Sequence, residues 1–94
     1  MTHSTARVPT VHASRYLQQL CKHRAHRFDV TFDPLSGRVD FGDAVCILKA
    51  DEAALDVRIQ APAEEMDRWE RVLASHLNRF AHREGELPFA WARA

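Results

Sequence analysis

The chain is poor in glycine, with three in 94 residues, and it has no GxGxxG or GxxxxGK[ST] run. A glycine-rich loop that cradles phosphate through its backbone is thereby excluded. HExxH and GxSxG are missing too, which removes two familiar hydrolase arrangements. Only Cys21 and Cys46 are present, and neither belongs to a CxxC unit. No paired-CxxC zinc site can form, and both thiols, set in apolar patterns, read as buried and free. No apolar run approaches the roughly 20 residues that span a bilayer. Residues 1–10 also lack the apolar centre of a secretory signal. The expected location is the cytoplasm, with no membrane insertion.

Net charge is absent as well, 13 Lys and Arg balancing 13 Asp and Glu. With no strong field, duplex nucleic acid is not an expected partner. The charges are nonetheless unevenly placed. Residues 1–28 hold Arg7, Arg15, Lys22, Arg24 and Arg27 and no acid, whereas residues 29–70 are rich in Asp and Glu. Such asymmetry can mark an anion site, or merely a basic helix lying beside acidic strands.

What is present is enough apolar residue, 46% of the chain, to build a core. Alternation at Ala6, Val8 and Thr10 predicts a first strand, with Pro9 suited to an edge. Ala13, Leu17, Leu20 and Cys21 then share one side of a helix running to about Arg27, with Ser14 or Thr10 available to cap it. Strands follow at Phe28–Phe32, Val39–Phe41, Ala44–Lys49 and Leu55–Gln60, separated by Asp33-Pro34-Leu35-Ser36-Gly37, Gly42-Asp43 and Asp51-Glu52 turns. Pro62 suits the first position of a second helix whose stripe is Met66, Trp69, Leu73, His76, Leu77 and Phe80, and Gly85 ends it. Leu87, Phe89 and Trp91 alternate in a last strand. The reading is one α+β domain over residues 1–94, with residues 1–4 a mobile end. Its order is β-α-β-β-β-β-α-β, a two-layer sandwich with both helices on one face of a mostly antiparallel sheet. The expected core is Leu17, Leu20, Val57, Ile59, Trp69, Leu73, Leu77, Phe80, Phe89 and Trp91.

Histidine is the informative residue. His12, Tyr16, Gln19, His23 and His26 recur at i, i+4, i+7, i+11 and i+14, a stripe about 80° wide on the first helix. It borders the Leu17/Leu20 face. His76 lies within the apolar stripe of the second helix and is expected to point inward, toward His23 or Tyr16. An inward imidazole needs a hydrogen-bond partner or a metal. His23, His26 and His76 are the candidate metal ligands, chemically suited to iron, another first-row metal or axial haem ligation. The alternative makes His76 structural, bonded to a backbone carbonyl or to Tyr16. No cofactor is required by the sequence. His3 falls in the mobile end and His82 on the exposed end of the second helix. Cys21 and His23 point to different helix faces, which argues against a catalytic pair.

The run His12-Ala13-Ser14-Arg15-Tyr16-Leu17-Gln18-Gln19-Leu20-Cys21-Lys22-His23-Arg24-Ala25-His26-Arg27 resembles the signature of the bacterial domain of unknown function 2218 family. The strands around Cys46, the run His76-Leu77-Asn78-Arg79-Phe80-Ala81-His82-Arg83-Glu84 and the final Trp91 extend the resemblance over about residues 5–93. That family has no established activity. A similar domain occurs joined to siderophore-interacting reductases, so the resemblance implies a link to iron uptake. Arg24 departs from the family pattern, in which an aromatic residue is usual between the two histidines.

Three functions follow as expectations. The first is a small non-enzymatic binding or accessory domain tied to iron or siderophore handling. Its ligand would be an anionic small molecule at His12, Tyr16, His23, His26 and His76, with Arg15 and Lys22 meeting the negative groups, or its partner a siderophore-handling protein. The second is a protein–protein interaction module or a homodimer, pairing a sheet edge, with no small-molecule ligand. The third is an enzyme using the first-helix histidines as acid and base.

Overall fold

The computed structural model describes residues 2–81 and 84–94. The elements follow one another as β1 (Thr2–Pro9), α1 (Ala13–Arg24), β2 (Asp29–Phe32), β3 (Ser36–Asp40), β4 (Val45–Ala50), β5 (Ala54–Ala61), a 3-10 turn (Ala63–Glu65), α2 (Met66–Phe80) and β6 (Ala92–Arg93). The strands form one sheet in the order β2-β3-β4-β5-β1-β6, every neighbouring pair antiparallel. The α+β reading and its element order hold.

Period-two alternation explains why one face is covered. Ser4, Ile59, Cys46 and Val39 lie side by side across β1, β5, β4 and β3, and Ala6, Val57, Leu48 and Gly37 form the next row. All eight are buried. The intervening row, Thr5, Arg58, Ile47, Arg38 and Thr31, lies on the open face and is polar except for Ile47. Against the buried face, α1 packs over β2 to β5 and α2 over β5 and β1. Leu17, Leu20, Leu73 and Leu77 are wholly buried between the layers, with Val57 and Ile59 beneath them. Trp69, Phe80, Phe89 and Trp91, expected in the core, are half-buried at its margin. Among the described residues no helix is long and apolar enough to cross a membrane.

Several boundaries differ from expectation. Thr2–Ser4, read as part of a mobile end, belong to β1. Ser4 is buried and its hydroxyl donates to Glu70 at 2.6 Å, and His3 accepts from Arg58. The first strand is therefore longer than its Ala6–Thr10 pattern, and Thr10 leaves it to serve α1, its hydroxyl accepting from the His12 backbone N–H at 3.0 Å. Ser14 does not cap. It donates instead to the Pro34 carbonyl. The helix stops at Arg24, not Arg27, and passes into a turn in which the Arg24 carbonyl accepts from both Arg27 and Phe28 at 3.0 Å and Phe28 reaches Phe41.

Pro62 precedes the 3-10 turn rather than opening α2 directly. That helix ends at Phe80, before Gly85, whose φ of +90° instead turns the chain into the C-terminal segment. The last strand shrinks to Ala92–Arg93. Leu87 donates its N–H to the Asn78 side chain at 2.6 Å and Pro88 has none to give, so the Leu87–Trp91 stretch runs extended without entering the ladder. Arg93 then ties β6 to α2 through Asp67 and Glu70.

Candidate functional site

The contacts between the helices fix their direction. Tyr16 meets Glu84 just beyond α2, His23 meets Phe80, and Arg24 meets His76. Rising numbers on α1 pair with falling numbers on α2, so the helices are antiparallel. The predicted histidine stripe is thereby distributed along a seam.

At one end Tyr16 is buried and donates to Glu84, which also accepts from Thr10 at 3.1 Å. His12 packs edge-on against the Tyr16 ring, with centroids 6.0 Å apart. The Tyr16 hydrogen bond, followed by that of Thr10, holds the Glu84 carboxyl below its ordinary range, while burial and then Glu84 push the Tyr16 phenol up. The stability this bond supplies is present above the usual carboxylate value and is lost as pH falls through the lowered one. Tyr16→Phe is accordingly expected to cost about 1 kcal/mol at neutral pH, with the difference from wild type closing in acid. Urea melts at pH 7 and pH 3.5 check it.

At the other end His76 does turn toward α1, as its place in the apolar stripe required. Its partner is neither His23 nor Tyr16 but Arg24, whose guanidinium lies against the imidazole within hydrogen-bonding reach of its ring nitrogens. A guanidinium only donates, so His76 accepts, in its neutral form. Burial first, then the charges of Arg24 and Arg79 and the neighbouring His23, lower its pKa to about 4. Arg24 is half-buried, and burial, Arg79 and Arg27 in that order weaken its hold on its proton. Its Nε is buried without a hydrogen-bond partner, and among the described residues no carboxylate bridges to it.

The other expected site residues are dispersed. His23 is exposed apart from its edge contact with Phe80, centroids 6.4 Å apart. His12, Arg15, Lys22 and His26 are exposed, His26 in the turn beyond α1. Among the described residues no group of three or more His, Cys, Asp or Glu side chains is placed to hold a metal ion, so His23, His26 and His76 do not assemble as the expected ligand set. The reason is the guanidinium that occupies the space facing His76. His82 lies outside the described residues. Burial pushes the Cys21 thiol up to about 11 and raises Cys46 further, and both are free and buried, which suits inert core thiols.

Arg24 and Glu84 are the residues that sequence reasoning missed. For Arg24 a signal existed: it follows Leu17 by seven positions and Leu20 by four, so it falls on the apolar face.

A family model described as "Uncharacterized protein conserved in bacteria (DUF2218)" matches residues 5–92. Among solved structures the chain is similar to the NMR structure of PA4090 from Pseudomonas aeruginosa, with 38% identity and a TM-score of 0.82 over 98% of this chain and 96% of that one. Among curated proteins none matches.

Proposed function

We propose, from the premise that the chain belongs to the DUF2218 family of bacterial proteins, that it is a small binding or accessory domain for an anionic small molecule. The ligand sits at the Arg24 end of the helix seam. One observation carries this reading: Arg24 is drawn partly out of water with a buried, unpartnered Nε and, among the described residues, no carboxylate bridging to it. A desolvated cation ordinarily has a counter-charge. Here the neighbours that act on it, Arg27 and Arg79, are themselves positive. An anion supplies what the chain withholds. Catecholate and carboxylate siderophores belong to this chemical class, and the association of similar domains with siderophore-interacting reductases makes an iron-loaded anionic chelate, or a protein that handles one, the favoured partner. Buried free thiols at Cys21 and Cys46 favour a reducing, cytoplasmic setting.

Titration of 15N-labelled protein with citrate, inorganic phosphate and a ferric carboxylate siderophore tests the proposal. Shifts are expected at residues 23–28 and 72–80, weaker as salt rises. Arg24→Ala is expected to weaken the best of the three by tenfold or more, in line with losing a charge-assisted hydrogen bond worth about 1.5–3 kcal/mol. Silence in those segments with all three anions, or unchanged affinity in Arg24→Ala, overturns it.

A second reading, an interaction module, draws on a different observation. The outer edge of β2 is unpaired among the described residues, and Phe32, Leu35 and Val11 are exposed apolar side chains. A doubled mass in solution that Phe32→Lys abolishes would favour it.

A further inference from the structure

Resting on that reading, we infer that an oxyanion enters the seam together with one proton, with His76 changing from acceptor to second donor. Three features of the Arg24 and His76 pair lead there. First, the contact is between a group that can only donate and a ring that must therefore offer a lone pair. The imidazole is neutral there because burial, and then the cation that faces it, disfavour its charged form. Second, the donors of Arg24 are incompletely used. Its Nε is buried without a partner, and Nε with one Nη forms the fork that grips two oxygens of a carboxylate, sulfate or phosphate. Third, among the described residues every charged or titratable group acting on His76 is cationic or an imidazole. Helix α1 supplies Arg24 and His23, and α2 itself supplies Arg79.

An anion seated on the guanidinium fork changes all three conditions at once. It takes over the Arg24 N–H groups, so the bond from Arg24 to the His76 ring breaks and the ring nitrogen regains a free lone pair. It also places negative charge against an imidazole previously surrounded by positive charge. That nitrogen then takes a proton from solvent and donates it to a second face of the oxyanion. One hydrogen bond breaks, at least three form, and the net uptake is one anion and one proton.

The sign of the pH dependence follows from linkage. His76 has a pKa of about 4 in the free protein, lowered by burial and by the facing cations. If the bound anion returns it toward the ordinary histidine value of about 6.5, proton uptake accompanies binding and affinity rises as pH falls between these values. From pH 7 to pH 5 the expected gain is about tenfold or more. Sites of this kind hold their ligand in mildly acid conditions and release it near neutrality. They prefer oxyanions over halides of equal charge, because a spherical ion cannot span the fork and the imidazole together.

Sulfate is the suitable probe, since its own charge does not change over this range. Calorimetry with the full chain at pH 5 and pH 7, in buffers of different ionisation enthalpy, reports affinity and proton uptake together. The expected result is tighter binding at pH 5 and uptake approaching one proton per sulfate. Imidazole 15N shifts of the wild-type protein should show the His76 pKa rising by more than one unit when sulfate is present. His76→Gln should lose the gain in sulfate affinity between pH 7 and pH 5, while His23→Gln should retain that gain. Sulfate binding with an unmoved His76 pKa and no proton uptake overturns this inference and leaves the anion site standing. Absence of sulfate binding at both pH values, with Arg24→Ala indistinguishable from wild type, overturns the anion site and the inference with it.

Discussion

Leu77→Ala is expected to lower the free energy of unfolding by about 2–5 kcal/mol. Leu77 is wholly buried in the cluster that joins α2 to α1 and the sheet. Truncation removes the transfer energy of its lost atoms and leaves a cavity whose walls, the neighbouring leucines and β5, are held by two separate layers. Such walls relax only in part, so the cavity term persists. A domain of this length has about 5–14 kcal/mol of stability in all, so the loss is a large fraction of it. Each kcal/mol corresponds to about 4–8 °C of melting temperature. Val11→Ala supplies the contrast. Val11 is 77% exposed, and its truncation should remain within about 0.5 kcal/mol of wild type. Equal urea midpoints for the two variants would contradict the packing of α2 on the sheet.

The same helix shows how much of the site was legible. The stripe at Leu73, His76 and Leu77 directed His76 toward α1, because a 3.6-residue period assigns a face without knowing the neighbour. It could not assign the partner. Periodicity on α1 placed Tyr16 and His23 beside the apolar face and passed over Arg24, and which of them meets His76 depends on helix direction and offset, which are tertiary quantities. The antiparallel offset delivers Tyr16 to Glu84 and Arg24 to His76. The strands were legible wherever alternation was two-sided, as in β5, where Leu55, Val57 and Ile59 are buried and Arg58 is exposed. Leu87, Phe89 and Trp91 alternate equally well, yet that stretch is no strand. Alternation reports an extended chain with one covered side, and here the hydrogen bond to Asn78 and the helix supply the cover. The end of α1 was overestimated for a related reason: basic residues continue to Arg27, and composition does not mark the turn that the packing of Phe28 requires.

Replacing Gly37 by Ala is expected to destabilise the protein by about 1–3 kcal/mol, and the loss should shrink when Cys21 is made smaller. Gly37 lies in β3 on the covered face, paired with Leu48, directly beneath α1. A β-carbon at this position would sit 2.7 Å from the Cys21 sulfur and 3.3 Å from a methyl of Leu17. The first distance is a clash that must be relieved. Cys21 is wholly buried on a helix already packed over β2 to β5, so its thiol has little room to swing aside. Either α1 lifts from the sheet or β3 bends away, and both open gaps among close-packed side chains. Glycine serves here as space for a helix and not for an unusual backbone angle, since Gly37 is absent from the positive-φ glycines, Gly42 and Gly85. Cys21→Ala alone deletes a buried sulfur and should cost about 1 kcal/mol. In the double variant the new methyl group of residue 37 enters the space the sulfur vacated. The sum of the single losses should therefore exceed the loss of the double variant, with a coupling of about 1 kcal/mol or more, well outside the 0.3–0.5 kcal/mol or so expected of independent sites. Urea unfolding of the four proteins in the cycle measures it. Additive losses would mean that α1 does not approach β3 at Gly37, and with that the position of the whole seam, Arg24 included, would have to be redrawn.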